Sequence, residues 1–320
     1  MHQIVQAYVL SVQPDHVKLD RKWQSSDVLP FEYLAIATGT KLAQPASIEH
    51  DEKSLSVEYL QNHQNTVKAA KSIVIAGGGA VGVQMALDLK ELYPDKKITL
   101  VHSRTRVMHQ FIGELHRIVE ARCDKLGVDL ITNSRVVIPP LGFPKDKAPF
   151  DVELTTGQIL KADLVIRATG QTPNNSLMRD LDALDPATII NPMNGYVRVK
   201  PTLQLANAKY PNILALGDIA DTGAHKAARP GCAQAEVLAE NIQSLLEGGQ
   251  KPLKEIQVDP PAIHLTLGIK ENVIFCDPDK LKGQTEPEIW MQEDGQEDLD
   301  VKSQWDYMGK TVDNPREYHL

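Results

Sequence analysis

The 320-residue sequence contains few cysteines, and they lie far apart. Cys123, Cys232 and Cys276 form no Cys-x-x-Cys motif, so the sequence predicts neither a zinc ribbon nor a dithiol redox centre. Such sparse and odd-numbered cysteines are typical of a reducing compartment. We therefore expect a cytoplasmic location.

Long apolar runs and a positive net charge are also absent. No run approaches the roughly 20 residues of a membrane-spanning helix. The first four residues show neither a signal-peptide pattern nor the Met-Gly start of a myristoylation site. The net charge of −8 argues against a nucleic-acid partner. The length suggests about two domains with buried cores.

One segment, residues 72–82, carries the strongest positive signal. An apolar run at 73–76 leads into Gly-Gly-Gly-Ala-Val-Gly at 77–82. This G-x-G-x-x-G pattern precedes a predicted helix at 81–93 and a second apolar run at 98–101. An order of strand, glycine turn, helix and strand over this length is typical of a dinucleotide-binding site.

The three glycines of the pattern have separate physical roles. Gly77 permits the tight turn, Gly79 lets a diphosphate approach the backbone, and Gly82 lets the helix pack closely on the strand. The phosphates would lie at the helix N-terminus, where free N–H groups and the helix dipole favour negative charge. A glycine turn with a purely structural role is the alternative.

The rest of the chain predicts an α/β protein. Further strands are indicated at 4–12, 17–19, 31–37, 128–131, 150–154, 159–168 and 213–216, and further helices at 57–71, 112–126 and 231–246. Residues 262–275 are either a core element, which we favour, or a docking surface. Residues beyond Glu286 are acidic and poor in apolar side chains, so we expect a solvated or disordered tail there.

Three more segments carry short signatures. Residues 33–39 and 162–170 are apolar strands that end in Ala-Thr-Gly, and residues 212–220 read Asn-Ile-Leu-Ala-Leu-Gly-Asp-Ile-Ala. With the glycine motif, their order resembles the two-dinucleotide-domain flavoproteins of the pyridine nucleotide-disulfide oxidoreductase family. Residues 77–104 look most similar to the apoptosis-inducing-factor-like, mitochondrion-associated oxidoreductases, a group that includes the ferroptosis suppressors.

The resemblance implies an α/β fold in which a Rossmann-like NAD(P)H-binding domain is inserted into an FAD-binding domain. Residues 1–54 and 192–255 would form the FAD-binding part, and residues 55–191 the NAD(P)H-binding domain. Residues 256–320 would form a C-terminal segment with an acidic tail. The two Ala-Thr-Gly strands would mark the crossings between the domains.

The resemblance also implies cofactor-binding residues, with no separate catalytic acid, base or metal ligand. The set comprises Gly77, Gly79, Gly82, Gln84, His102, Arg104, Arg106, Thr38, Gly39, Thr169, Gly170, Gly217, Asp218 and Gln234. Asp218 would accept a hydrogen bond from the ribityl chain of the flavin, with a turn or N-cap aspartate as the alternative. The helix that opens at 231–234 would stabilise the reduced flavin's negative charge, unless it is an ordinary buried helix. His225 and Lys226, in the loop before this helix, either approach the cofactor or lie in a solvated loop, and we favour the solvated loop.

The choice between NADH and NADPH falls at the end of the second strand of the motif. Residues 101–106 contain no acidic side chain for a ribose 2′-hydroxyl, whereas Arg104 and Arg106 can pair with a 2′-phosphate. This favours NADPH, with a solvated surface loop as the alternative. Gln84 lies in the first helical turn, where its amide can bind the nicotinamide ribose.

The FAD domain of the family opens with its own strand–GxGxxG–helix unit, and residues 1–36 contain no glycine. We expect this chain to lack that unit, either as an incomplete chain or as a shortened relative. Weak FAD binding and exposed apolar strand edges would follow.

Two classes of function remain. The first is an FAD-dependent NAD(P)H oxidoreductase, in which hydride passes from nicotinamide to flavin and electron transfer continues to a small quinone-like molecule or a protein acceptor. The alternative is a non-catalytic NAD(P)H-binding or interaction protein that has lost its FAD site. Peripheral association with a membrane or with mitochondria stays open in both.

Overall fold

The computed structural model describes residues 2–144, 147–249, 251–296, 301–312 and 314. The chain divides into two compact units. Unit 1 comprises Met1–Lys41 and Gln171–Pro260, and unit 2 comprises Leu42–Gly170 and Pro261–Leu320. These limits differ from the predicted domain boundaries at 54, 191 and 255, and the assignment of one cofactor to each domain stays a proposal.

The elements of the chain are short strands and longer helices. The strands are β1 (Val9–Val12), β2 (His16–Trp23), β3 (Ser26–Pro30), β4 (Leu34–Ile36), β5 (Thr40–Leu42), β6 (Ser72–Ala76), β7 (Lys97–Val101), β8 (Asp129–Ile131), β9 (Phe150–Glu153), β10 (Ile159–Ala162), β11 (Leu164–Arg167), β12 (Gln171–Pro173), β13 (Val197–Arg198), β14 (Ile213–Ala215), β15 (Ala220–Asp221), β16 (Ala262–Thr266), β17 (Asn272–Cys276) and β18 (Glu288–Gln292). The helices are α1 (Lys53–Ala69), α2 (Ala80–Leu92), α3 (Gly113–Leu126), α4 (Ala228–Leu246) and α5 (Val301–Tyr307).

Unit 2 contains a parallel four-stranded sheet in the order β11-β6-β7-β8. α2 connects β6 to β7 and α3 connects β7 to β8, which confirms the predicted α/β fold with a Rossmann-type βαβ unit. Successive residues of β6 face opposite sides, so both faces of the strand are covered. Ile73 and Ile75 pack in the cluster that includes Leu87 of α2, whereas Val74 packs with Val152 of the β9–β10 hairpin. The strand therefore reads as a continuous apolar run.

The C-terminal part of unit 2 is an antiparallel sheet of β16, β17 and β18. Leu265, Val273 and Phe275 are fully buried in the same cluster as α2 and α3, which confirms the core interpretation of residues 262–275. The expected tail is ordered at Glu288–Gln292, because these residues pair with β17 over their whole length, although most of them are exposed to solvent. No helix among the described residues combines the length and apolar character needed to cross a bilayer.

Arg122 of α3 links the β16–β17 hairpin to α2 and α3 through hydrogen bonds. Its guanidinium donates to the carbonyl of Leu267 at 2.6 Å, to Glu271 at 2.7 Å and to Glu91 at 3.2 Å. The Arg122 side chain is only 5% exposed, so its charge is stable there because carboxylates and a carbonyl surround it.

Unit 1 combines an antiparallel sheet of β1, β2 and β3 with a parallel pair formed by β4 and β14. Val12, Ile36, Ile213 and Ala215 are buried in one cluster of this unit. The predicted strand at 4–12 is confirmed only for its last four residues, β1. Of the preceding residues, Val5 and Ala7 pack against the core cluster of this unit, and the others are exposed.

Candidate functional site

The turn after β6 accepts glycine alone at two of its positions. Gly77 has φ +124°, and a β-carbon on it would lie 2.1 Å from the carbonyl oxygen of Ala168. A β-carbon on Gly82 would lie 1.8 Å from the carbonyl oxygen of Gly77. The turn is therefore packed between α2 and the Ala-Thr-Gly segment after β11, as the glycine roles require.

Gly79 differs from its neighbours because the space beside it is open. It is the N-cap residue of α2, with an ordinary φ of −83°, and a β-carbon there would meet no atom within 4 Å. Its missing side chain leaves the first N–H groups of α2 without a side-chain cap. These free donors and the open space suit a diphosphate, so the residues present fit a dinucleotide cofactor.

The structure places His102 behind the turn. It follows β7 directly, is 6% exposed, and accepts a hydrogen bond from the Gly78 N–H at Nδ1, at 3.0 Å. The Gly78 carbonyl accepts a second bond from the Met108 N–H at 2.8 Å. His102 therefore supports the turn from inside, and direct contact with a cofactor, its predicted role, stays a prediction.

Arg104 and Arg106 are exposed just beyond His102. Neither guanidinium forms an ion pair with any residue in the described part of the chain. The Arg106 guanidinium lies at the start of α3, 3.0 Å from the position that a β-carbon on Gly113 would take. Both charges are therefore available to an anionic ligand at the end of β7.

Gln84 is turned towards β16. Its Nε2 donates to the hydroxyl of Thr266 at 3.1 Å, so part of its hydrogen-bonding capacity is used within the protein. Asp88 lies one turn further along α2, where burial and the neighbouring Glu91 raise its pKa to about 6. Hydrogen bonds from Thr266 and the Gly268 N–H partly oppose that rise.

Thr169 and Gly170 lie beside the glycine turn because β11 runs parallel to β6. The pair Arg167–Ala76 is the last in register, and the Ala168 N–H donates to the Ala76 carbonyl at 2.8 Å. Gly170 has φ +101°, a conformation that favours glycine. One edge of the unit 2 sheet thus collects Gly77, Gly79, Gly82 and the Thr169–Gly170 pair.

Unit 1 repeats this arrangement with β4 and β14. β4 runs into Thr38 and Gly39, while β14 runs into Gly217 at the same edge. The Thr38 hydroxyl donates to the Asn174 carbonyl at 2.9 Å, and the Asn174 amide donates to the Thr38 carbonyl at 2.8 Å. The second Ala-Thr-Gly segment is therefore held in place by hydrogen bonds within unit 1.

Gly217 is joined to the first turns of α4. It has φ +70°, and its N–H donates to Oε1 of Gln234 at 2.7 Å. A β-carbon on Gly231 would lie 3.6 Å from the Gly217 Cα atom. Gln234 is 5% exposed, so its amide is a buried link between α4 and the turn that carries Asp218.

Asp218 is half-buried at this turn and faces a group of polar side chains. None of the described residues donates a hydrogen bond to its carboxylate, so both oxygens can accept one from a ligand hydroxyl. Burial lowers the pKa of His225, and the Asp218 charge opposes that change. A half-buried carboxylate that accepts hydrogen bonds fits a polyhydroxyl chain such as the ribityl group.

The solvated-loop interpretation of His225 and Lys226 is wrong. Both side chains are half-buried, and the Lys226 ammonium lies 4.4 Å from the centroid of the Tyr196 ring and donates to the Ala220 carbonyl. Burial lowers the pKa of Lys226, and Asp221 and Asp218 oppose this. The sequence carries no signal for this contact, because Tyr196 is far away along the chain.

Comparison with known proteins supports one family. The pyridine nucleotide-disulphide oxidoreductase family model matches residues 1–238. Fe-regulated protein 8 of Mycosarcoma maydis is 34% identical over 333 aligned residues, covering 98% of this chain and 78% of that protein. The FAD-dependent oxidoreductase FVFD30 of Flammulina velutipes is 31% identical over 79% of this chain and 74% of its own length. Mouse ferroptosis suppressor protein 1 is 30% identical over 78% of this chain and 65% of its own length.

Solved structures agree with the fold. The sulfide:quinone oxidoreductase from Aquifex aeolicus has a TM-score of 0.65 at 18% identity, covering 90% of this chain and 71% of that one. A NAD-dependent persulfide reductase from A. fulgidus has a TM-score of 0.61 at 24% identity, covering 84% of this chain. The chain spans about half of that reductase, 48% of its length. At these identities the likeness describes the fold alone.

Proposed function

Because this chain belongs to the pyridine nucleotide-disulphide oxidoreductase family, we propose that it passes electrons from NAD(P)H, through FAD, to a quinone-like or protein acceptor. Family membership confirms the predicted enzyme class, a flavoprotein NAD(P)H oxidoreductase, and its FAD and NAD(P)H cofactors. The acceptor and the residues that hold each cofactor are the proposed parts.

The open N-terminus of α2 carries this proposal. Gly79 leaves the first-turn N–H groups accessible, and the rest of the turn is fixed by close packing at Gly77 and Gly82. Because these N–H donors are already held in place, they lose little conformational entropy when a diphosphate binds. The adenosine end of the nucleotide would extend towards the end of β7, where Arg104 and Arg106 would meet a 2′-phosphate.

The polar group of unit 1 would hold the flavin. Bound FAD supplies the redox chemistry, since it accepts a hydride from NAD(P)H and returns electrons to an acceptor. Asp218 would accept a hydrogen bond from a ribityl hydroxyl. α4 would present its N-terminal N–H groups and dipole to negative charge. The Lys226 ammonium, held over Tyr196, would add a positive charge beside Asp218.

The cysteines favour an acceptor other than a disulfide. Cys123 is fully buried in α3, and burial raises the pKa of its thiol to about 12, so it stays protonated and unreactive. Cys232 is exposed on α4, and no second cysteine lies near it in the sequence. A quinone-like molecule or a protein redox centre accepts electrons from a flavin without any thiol.

One observation supports the alternative of a non-catalytic protein that binds NAD(P)H without FAD. The sequence contains a single G-x-G-x-x-G motif, and it lies in unit 2. A protein that binds NAD(P)H and no flavin would use only that motif. A cytoplasmic location with peripheral association to a membrane or to mitochondria is part of the proposal in either class, and cell fractionation tests it.

The deciding experiment is flavin content and turnover of the full chain. We expect FAD absorbance in the purified or FAD-reconstituted protein, bleaching by NADPH or NADH without oxygen, and recovery of colour with a soluble quinone. Gly79→Val should prevent bleaching by the nucleotide while FAD stays bound, because the new side chain fills the diphosphate space. Thr66→Val, a similar change on exposed α1 of the same unit, is the matched control. A colourless protein that binds NADPH would support the non-catalytic class instead.

A further inference from the structure

We propose that His102 is a positioning residue for the nucleotide turn, and that it performs this role only as a neutral imidazole with its proton on Nε2. Nucleotide binding would then weaken when His102 takes up a second proton. The inference rests on the proposed NAD(P)H site and adds a pH response to it.

The hydrogen bond to Gly78 fixes the protonation state. The Gly78 N–H can only donate, so Nδ1 of His102 must present its lone pair at 3.0 Å. The neutral ring then carries its proton on Nε2. A ring protonated on both nitrogens would point an N–H at an N–H, and this bond would break.

The bond matters because Gly78 lies between Gly77, which forms the tight turn, and Gly79, which would face the diphosphate. Its carbonyl is held by the Met108 N–H at 2.8 Å, and that carbonyl shares a peptide plane with the Gly79 N–H. A β-carbon on Gly78 would lie 2.5 Å from Val107 and 2.9 Å from the His102 ring, so there is no spare room around it. His102 and Met108 together therefore set the direction of the Gly79 N–H.

The surroundings of His102 disfavour its charged form. Burial lowers the pKa of His102, and the charges of His109, Arg104 and His116 lower it further, against an opposing effect of the Arg106 backbone. The His109 ring stacks on it, with centroids 5.7 Å apart and an interplanar angle of 27°.

The neighbouring polar atoms of the His102 ring make few contacts with it. Nε2 of His116 in α3 lies 3.8 Å from Oε1 of Glu120. Nε2 of His102 has no hydrogen-bond partner among the described residues, and the opposing effect of the Arg106 backbone does not outweigh burial. The folded-state pKa of His102 lies below its ordinary value of 6.5, so the ring is neutral at pH 7.

Two substitutions separate positioning from simple space filling. Asparagine places its side-chain oxygen near the position of Nδ1, so His102→Asn keeps an acceptor for the Gly78 N–H and cannot titrate. His102→Leu fills a similar volume and leaves the buried N–H without a partner. His264→Asn in β16, where the histidine is exposed and bonded to Asn272, is the matched control in the same unit.

The test is calorimetric titration of the full chain with NAD⁺ between about pH 5.5 and 8, a range in which this ligand without a 2′-phosphate does not titrate. We expect level affinity at and above neutrality, and a fall of at most about tenfold per pH unit once the His102 ring takes up a second proton, the limit for one excluded proton. The control should keep that profile. His102→Asn should bind within about threefold of the wild type at pH 8 and show no fall, whereas His102→Leu should lose about tenfold at every pH. Equal losses in both variants, or an acid fall that persists in His102→Asn, would overturn the proposal.

A second readout needs no nucleotide. Imidazole ¹⁵N resonances of the full chain at pH 8 should show an unprotonated Nδ1 and a protonated Nε2 for His102. Unfolding temperatures at each pH identify any variant that merely fails to fold. Failure of the wild type to bind NAD⁺ or NADPH would reject the proposed site, whereas a protonated Nδ1 would reject the role of His102 alone.

Discussion

Gly77 and Ala168 approach so closely that a β-carbon on Gly77 would lie 2.1 Å from the Ala168 carbonyl oxygen. The two residues belong to motifs that are about 90 residues apart in sequence, yet they form a single structural unit. The glycine motif turns sharply at Gly77, and the Ala-Thr-Gly segment closes over the space where a side chain would be. The turn that is proposed to face the nucleotide is therefore fixed from two sides.

This contact predicts that alanine at Gly77 lowers the free energy of unfolding much more than alanine at Gly79. Gly77→Ala should destabilise the protein by about 2–4 kcal/mol, because it adds both a backbone clash and a residue with φ of +124°. Gly79→Ala should leave the free energy of unfolding almost unchanged, since φ is −83° and the space is open. Urea unfolding of both variants measures the difference. Equal stabilities would mean that the two segments do not pack as described.

The arginines after β7 predict a preference for NADPH. Replacing Arg104 and Arg106 by alanine should weaken NADPH binding at least tenfold and NADH binding much less, because a charge-assisted hydrogen bond contributes about 1.5–3 kcal/mol. Arg117→Ala removes an exposed positive charge from α3 and serves as the control. Fluorescence titration with both nucleotides gives the ratio. If the double variant loses both nucleotides equally, the arginines do not recognise the 2′-phosphate.

The strand, turn and helix around Gly77 could be predicted from sequence because their causes are local. A buried strand needs a continuous apolar run, and a tight turn before a helix needs glycine at fixed spacing. The start of α4 at Ala228, three positions before the predicted one, reflects Pro230, which is tolerated in the first helical turn.

The features that could not be predicted depend on contacts between residues that are far apart in the sequence. His102 acquires its role from a bond to Gly78, and Lys226 from the ring of Tyr196. The strand β18 is short and mostly exposed, and it is ordered by its pairing with β17. No spacing rule within the chain predicts these contacts, because each depends on how two elements are brought together.

The raised pKa of Asp88 predicts that the free energy of unfolding falls as pH rises. Burial and Glu91 raise its pKa from 3.8 to about 6, so the folded chain binds this proton more tightly than the unfolded chain. The stabilisation is complete below about pH 4 and is lost as pH rises through about 6. Asp88→Asn should therefore raise the free energy of unfolding by about 1–3 kcal/mol at pH 7 and leave it unchanged at pH 4.

Asp163 serves as the control, because its pKa is lowered in the folded protein whereas the pKa of Asp88 is raised. Burial alone would raise its pKa, but hydrogen bonds from Ser72 and the Lys71 N–H outweigh burial and lower it. Asp163→Asn should destabilise the protein at pH 7, and the difference should shrink as pH falls through its lowered pKa. Urea unfolding of both variants at the two pH values measures these changes. Parallel responses of the two variants would contradict the assigned environments.

The last prediction concerns the flavin side. Asp218→Ala should lower the affinity for FAD about tenfold or more, because a hydrogen bond to a charged acceptor contributes about 1.5–3 kcal/mol. None of the described residues donates a hydrogen bond to Asp218, and its charge interacts with His225 and Lys226 only through space, so the unfolding temperature of the FAD-free protein should change little. Asp180→Ala, an exposed change in the same unit, controls for the loss of one negative charge. Quenching of FAD fluorescence during reconstitution measures the affinity, and NADPH titration of the same variant should give the wild-type value. A variant that keeps its FAD affinity would exclude Asp218 from the flavin site, and a variant that also loses NADPH would place the defect in the fold.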